Sequence, residues 1–353
     1  MKLFEPVTMK RLQLKNRVVM APMTRSRAIG NMATDLIAQY YSQRAGAGLI
    51  ITEGISPSPN GLGYARIPGL FTAEQAESWR QVTKGVHDRG AKFFAQLMHT
   101  GRASHPANLP KGARVVAPSS IPLSGKIWTD SEGEQPYPVP QEMSLADIKS
   151  TIGEYARAGE LAIAAGFDGI ELHGANGYLL DQFLNPKANK RTDAYGATAE
   201  GRMRFVLETA QAAVDKIGGD RVGIRVSPYG VFNDTGAFEG IDQFYAELSR
   251  RLSAIGLVHI HVVDHSTMGA PPVSADVKRL IRENFKGTYI LSGGYDRDRA
   301  EKDLAEGKGD LVAFGRPFIA NPDLVEKLRD GRTLTQPDKS LFYTPGREGY
   351  TDY

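Results

Sequence analysis

A chain of 353 residues, 41% hydrophobic and 24% charged, is sized for one large barrel or two ordinary domains and is not a disordered composition. A formal charge of +3 with scattered Lys and Arg excludes an electrostatic nucleic-acid binder, and the absence of cysteine excludes disulfides, thiolate metal sites and a cysteine nucleophile. No apolar run reaches membrane-span length and Met1–Pro6 has no hydrophobic leader core, so a cytoplasmic protein without membrane or nucleic-acid partners is expected.

In chain order, residues 1–16 carry Leu12–Asn16, which suggests a short hairpin plugging one end of the fold. The first apolar run of strand length, Val18–Met20, leads into Ala21-Pro22-Met23-Thr24. The second, Leu49–Thr52, closes on Glu53-Gly54. A helix is predicted over Thr72–Val86, opened by a capping box of Thr72 and Gln75. The third run, Phe93–Gln96, has Gln96 and His99 at its end. Residues 102–141, rich in Pro, Gly and Ser, break the rhythm and suggest a small hairpin over the mouth. The helix Ser144–Ala165, with Ser144 and Asp147 as its cap, precedes Gly169–Leu172. Then come helix Thr198–Ile217, strand Val222–Val226 with Arg225, helix Ile241–Ile255, and strand His259–Val263 ending at Asp264-His265. Helix Ala275–Phe285, strand Tyr289–Ser292, helix Asp296–Glu306 and strand Leu311–Phe314 complete the set.

Eight apolar runs alternating with helices imply a parallel sheet covered by helices. At this length the pattern favours an α/β fold, a single (β/α)8 TIM barrel over residues 1–353, with an N-terminal hairpin and an excursion after the third strand. An open dinucleotide-binding sheet would want G-x-G-x-x-G after the first strand, and Ala21-Pro22-Met23-Thr24 does not supply it.

In such a barrel, chemistry gathers where strands end. Gly293-Gly294 and Gly315-Arg316 close the seventh and eighth strands, where backbone N–H groups and an arginine fork suit a phosphate. Gln96 offers a donor and an acceptor for a pyrimidine-like edge, and Arg225 offers a cation. Arg225 has two readings: a charge beside a reduced flavin, or a buried ion pair with Glu171 or Glu53. His173, Asn176 and Tyr178 fall within six residues. An imidazole and an amide polarise a carbonyl, and a phenol of ordinary pKa about 10 is a proton donor at neutral pH. His259 and His261 share a strand face, but no third metal ligand accompanies them, so no metal site is expected.

The chain resembles the Old Yellow Enzyme family of FMN-dependent ene reductases, most closely its bacterial branch of N-ethylmaleimide and pentaerythritol tetranitrate reductases. Four motifs carry the resemblance: Asn16–Arg25, His173–Leu184, Ala313–Pro317 and Phe342–Tyr353. It implies that Pro22, Met23, Thr24, Gly54 and Gln96 line the flavin ring, with Arg225 near N1. Gly293, Gly294, Gly315 and Arg316 would hold the FMN phosphate, the cofactor being tightly bound and non-covalent. His173 and Asn176 would bind a carbonyl or nitro oxygen of an activated alkene, a maleimide or a nitro compound. Tyr178 would protonate the alkene after hydride transfer from flavin N5, and Tyr64 and Tyr343 would line the substrate pocket. NADPH, or NADH, would be the reductant, and the protein a monomer or weak homo-oligomer. Thr24 stands where the thermophilic-type branch has cysteine, Met98 where many relatives have tryptophan, and Ala197 and Gly201 interrupt a common Tyr-Gly-Gly and Asn pattern. Two rivals differ in class. One is a phosphate-binding barrel aldolase or isomerase, for which Glu53 is the available base and a strand-end lysine is missing. The other is a non-catalytic flavin-binding protein.

Overall fold

The computed structural model describes all of residues 1–353. Eight parallel strands close into a barrel: Val18–Met20, Leu49–Ile55, Lys92–Leu97, Gly169–Gly174, Val222–Val226, His259–Val262, Thr288–Ser292 and Leu311–Phe314. The first and last strands pair through Val18–Val312 and Met20–Phe314, so no open edge remains. Antiparallel pairing of Val7–Met9 with Leu12–Leu14 forms the expected N-terminal hairpin, and Lys126–Thr129 with Gly133–Pro136 forms the hairpin of the excursion. No helix is long and apolar enough to cross a membrane.

Strand residues alternate between two cores. Outward side chains such as Val18, Ile50, Phe93, Ile170 and Ile224 pack under the helices. Inward ones such as Val19, Leu49, Ile51, Phe94, Ile290 and Leu311 pack on Met9, Leu12 and Leu14 of the hairpin. Following the inward positions along the axis, the lining changes character. Phe94 gives way to Gln96, Gly169 to Glu171 and His173, Gly223 to Arg225, and His259 to His261, as the period of two requires. The interior is apolar at the plugged end and polar at the strands' carboxyl ends.

Both capping boxes form, Thr72 with Gln75 and Ser144 with Asp147. Three features depart from the sequence expectation. The second strand runs on to Ile55 through a register shift between Ile51 and Gly54, where the Thr52 hydroxyl accepts the Gln96 N–H at 2.9 Å. A helix at Asp35–Gln43 precedes it, its buried Ile37, Tyr40 and Tyr41 spaced three and four apart but embedded among polar residues that blur the pattern. The helix Leu179–Leu184 is buried on every side, so it has no hydrophobic periodicity to read.

Candidate active site

The fourth strand delivers the central residues. Past Gly174 the chain turns sharply, with Asn176 at φ 60° and Gly177 at φ 70°. This is the left-handed region, which glycine and asparagine tolerate best. The Asp181 carboxylate ties the turn down, accepting the Gly177 N–H at 2.8 Å and the Ser227 hydroxyl at 3.3 Å. Ser227 in turn accepts the Asn176 N–H, and Asn233 donates to the Asn176 carbonyl, each at 2.8 Å. Burial pushes the Asp181 carboxyl up to about 7.

The turn aims three groups into one cavity of about 900 Å³. His173 is buried, and its Nδ1 has no partner in the chain. Burial first, and the neighbouring Arg225 cation second, hold His173 well below its usual range, so it enters the site as a neutral imidazole. The Asn176 amide oxygen lies 2.8 Å from His265 Nε2. Burial pushes His265 down to about 4, so its neutral ring donates to that oxygen and leaves the Asn176 NH2 free. The Tyr178 ring meets His173 edge-on at 4.9 Å, and its hydroxyl lies 3.2 Å from that of Tyr64. Burial pushes the Tyr178 phenol up to about 12, so it keeps its proton throughout the neutral range.

The neighbouring strands complete the wall. Pro22, Met23, Thr24, Gly54, Gln96 and Arg225 line the same cavity. Arg225 makes no ion pair. Glu171 is engaged by Gln96, His259 and His261, while Glu53 turns outward to the Tyr41 hydroxyl. The ion-pair reading of Arg225 is therefore replaced by an arginine facing the cavity, its Nε buried without a partner. Burial lowers it to about 10, an effect that attraction to Glu171 partly offsets.

A second cavity, of about 630 Å³, shares Pro22, Met23, Thr24 and Arg225 and extends past the seventh and eighth strands. Gly293, Gly294, Gly315 and Arg316 lie in its wall. Gly293 at φ 131° approaches the Asp264 backbone so closely that a Cβ would stand 2.7 Å from it. Gly294 has φ 62°. Packing within the chain explains these two glycines. It does not explain Gly315, where a Cβ would meet nothing closer than 3.7 Å. The room left there, beside the exposed and unpaired Arg316, fits an anion. One elongated site thus has an anion cradle at one end and a donor, acceptor and cation at the other, which is the chemistry a flavin mononucleotide presents.

The chain matches the NADH:flavin oxidoreductase / NADH oxidase family over residues 2–335. It is 38% identical over 377 residues to 12-oxophytodienoate reductase 7 of Oryza sativa subsp. japonica, covering 99% of this chain and 94% of that protein. A probable flavin mononucleotide-dependent alkene reductase of Leishmania infantum is 39% identical over 359 residues, with 99% and 96% covered. Among solved structures, morphinone reductase superposes with a TM-score of 0.95 at 39% identity, over 99% of this chain and 95% of that one. An Old Yellow Enzyme homologue from Zymomonas mobilis gives 0.96 at 35% identity, over 100% and 99%. The chain belongs to the Old Yellow Enzyme family of NADH:flavin oxidoreductases. It is an FMN-dependent, NAD(P)H-linked oxidoreductase of the ene-reductase type.

Several residues at the mouth of this flavin oxidoreductase were not singled out from the sequence. Ile127, Trp128 and Tyr137 reach the cavity from the excursion, because only the fold decides which side of a hairpin faces inward. Arg66 donates to the Ser26 carbonyl and the Tyr343 carbonyl, each at 2.9 Å, and pairs with Asp130 at the hairpin tip. Conversely, two strand-end groups lie outside the site. His99 is packed inside with its Nε2 unpartnered, and Glu53 sits against Tyr41 and Arg25.

Tyr343 reaches the mouth because arginines from the start of the barrel grip the tail. Arg27 donates to Leu341, Phe342, Gly346 and Glu348 carbonyls and the Thr344 hydroxyl at 2.8–3.0 Å. Arg25 donates to Phe342 and Gly349, and Arg44 to Tyr350. These buried guanidiniums find their partners in backbone carbonyls rather than carboxylates.

Proposed function

We propose that the site reduces the C=C bond of α,β-unsaturated carbonyl compounds and maleimides, with nitro compounds and nitrate esters as further acceptors, and that His173, Asn176 and Tyr178 carry the acid side of the reaction. Bound FMN supplies the hydride, which it receives from NADPH or NADH and gives to the alkene. The observation that carries the reading is the convergence of a neutral imidazole, a free amide NH2 and a protonated phenol on one cavity wall.

His173 and Asn176 donate to the substrate oxygen, where negative charge grows as hydride arrives at the β carbon. Both are fixed beforehand, His173 by its strand and Asn176 by His265, so little reorganisation is needed. Tyr178 then gives its proton to the α carbon. A phenol raised to about 12 is a weak acid in water, but it suits an enolate-like carbon of higher proton affinity. Pro22, Met23, Thr24, Gly54, Gln96 and Arg225 would hold the ring, and Gly293, Gly294, Gly315 and Arg316 the phosphate, tightly and without a covalent bond. Tyr64 and Tyr343 would bound the substrate pocket.

We further place the chain nearest the bacterial maleimide and nitrate-ester reductases, on Thr24 and the Phe342–Tyr353 tail. Residues 1–353 would act as one unit, a monomer or weak homo-oligomer, in the cytoplasm, where a chain without cysteine loses nothing to a reducing environment. A flavin-free aldolase finds less support, since Glu53 faces away from the cavity. The test is anaerobic NADPH consumption by the yellow holoprotein on adding 2-cyclohexenone. A colourless protein supports the aldolase, and a yellow protein that oxidises no NADPH with enone present supports a flavin carrier.

A further inference from the structure

Directly beneath the cavity floor lies a polar cluster that the proposed chemistry does not use. Glu171 Oε2 accepts from His259 Nε2 and His261 Nδ1, each at 3.0 Å, and its Oε1 accepts from Gln96 Nε2 at 2.8 Å. Glu171 and both histidines are fully enclosed. Of the four side chains only Gln96 reaches the cavity.

We infer that Glu171, steadied by His259 and His261, is a positioning residue for the flavin ring. It fixes the sense of the Gln96 amide and sets a permanent negative charge one layer below Arg225. The inference rests on the roles proposed above for Gln96 and Arg225.

The amide sense follows from donor and acceptor counting. A carboxylate only accepts, so the Gln96 NH2 must face it and the amide oxygen is left for the cavity. Reversed, the amide would set oxygen against oxygen in a dry interior. The floor therefore presents an acceptor to whatever lies on it, matching an imide N–H on a pyrimidine edge. The carboxylate, in turn, stays ionised. Burial alone would raise it, but electrostatic attraction to His261, with hydrogen bonds from His259 and His261, holds it well below the usual carboxylate range. His259 Nδ1 and His261 Nε2 are buried without partners. A buried orphan N–H costs more than a buried lone pair here, so each ring places its hydrogen on the nitrogen facing Glu171. Each imidazole then donates to the one anion.

The placement of charge follows from the strand register. Glu171 pairs with Gly223 and His173 pairs with Arg225, so Glu171 sits one inward layer below the arginine. The anion offsets part of the cation's field at the cavity floor and disfavours further negative charge there, such as that of a reduced flavin. A neutral residue at position 171 releases both constraints at once, because an amide there can face Gln96 in either sense.

Two measurements on Glu171→Gln test this. In the reconstituted holoenzyme, preference for reduced over oxidised FMN should rise about tenfold, equivalent to a midpoint potential about 30 mV higher for a two-electron couple. In binding titrations, wild-type apoprotein should prefer FMN to its N3-methyl analogue at least tenfold, and the variant should lose most of that preference. A variant with unchanged potential and unchanged preference overturns the inference, since a merely structural glutamate would alter only the melting temperature. Should the variant fail to fold, the wild-type comparison decides by itself: equal affinity for the two flavins overturns the amide assignment, and discrimination supports it. An apoprotein that binds neither flavin overturns the ring-binding roles of Gln96 and Arg225 instead.

Discussion

The two ends of the barrel interior are made of opposite materials. At the closed end, Leu12 and Leu14 of the N-terminal hairpin pack on Val19, Leu49, Ile51, Phe94 and Ile290, with no polar side chain in the cluster. At the open end stand Gln96, two residues past Phe94, and His173 and Arg225 of the next two strands, and two of these three keep a buried nitrogen without a partner. The difference shows how a single sheet separates stability from chemistry. One end is packed from apolar side chains of the chain itself, while the other leaves donors unsatisfied so that a ligand must satisfy them. Between the two ends sits the Glu171 cluster, whose carboxylate is satisfied by Gln96, His259 and His261.

Substitutions at the two ends should therefore differ in kind. The largest effect is expected at the open end. Tyr178→Phe should slow alkene reduction by about 10²–10⁴-fold, the usual contribution of a general acid, while flavin reduction by NADPH stays nearly intact. Stopped-flow absorbance separates the two halves, and equal loss in both would erase the contrast. At the closed end, Leu14→Ala should destabilise by about 2–5 kcal/mol through lost burial and a residual cavity. Denaturant titration reads that loss, and turnover per folded molecule should not change. A smaller effect is expected for His173→Ala, which should weaken phenol binding by about 1.5–3 kcal/mol, the range for a hydrogen bond to a charged group. The long-wavelength band of the phenol–flavin complex measures it, and an unchanged titration would remove His173 from the oxygen site.

A fourth effect, read as a pH dependence, concerns the Asp181 strut under the catalytic turn. Its folded carboxyl, at about 7, binds a proton more tightly than the unfolded chain does. The associated stability is fully present below the unfolded value, near 3.8, and is lost as pH rises through about 7. Buried Glu53, also near 7, acts with the same sign. The melting temperature should fall between about pH 4 and about pH 7, and Asp181→Asn, which still accepts the Gly177 N–H, should flatten part of that slope. A slope identical to wild type would show that the strut does not titrate there.

Much of this architecture was legible in the sequence. Apolar runs leading to polar ends announced the strands, because a parallel strand buried on both faces needs a continuous hydrophobic stretch. The cluster His173–Tyr178 and the glycine pairs after strands seven and eight were visible as short motifs. The residues that could not be read act across long separations or depend on which way a loop faces. Gln96 meets Glu171 over a separation of 75 residues, and Glu171 meets His259 over 88. No local pattern marks such a cluster, since each member by itself resembles a core polar residue. The same limit hid Arg66, whose three partners lie in three different segments. Glu53 illustrates the reverse. It stands at a strand end beside Gly54, yet the register shift after Ile51 turns its carboxylate outward, and only the pairing reveals this.

The grip of Arg25 and Arg27 on the tail bears on how the molecule is made. Arg25 precedes its partner Phe342 by 317 positions, and Arg27 precedes Glu348 by 321. During synthesis on the ribosome these guanidiniums emerge early and wait, hydrated, until nearly the whole barrel has been translated. The mouth can be finished only after that, so a nascent chain stalled before residue 341 would carry a barrel with an unroofed pocket.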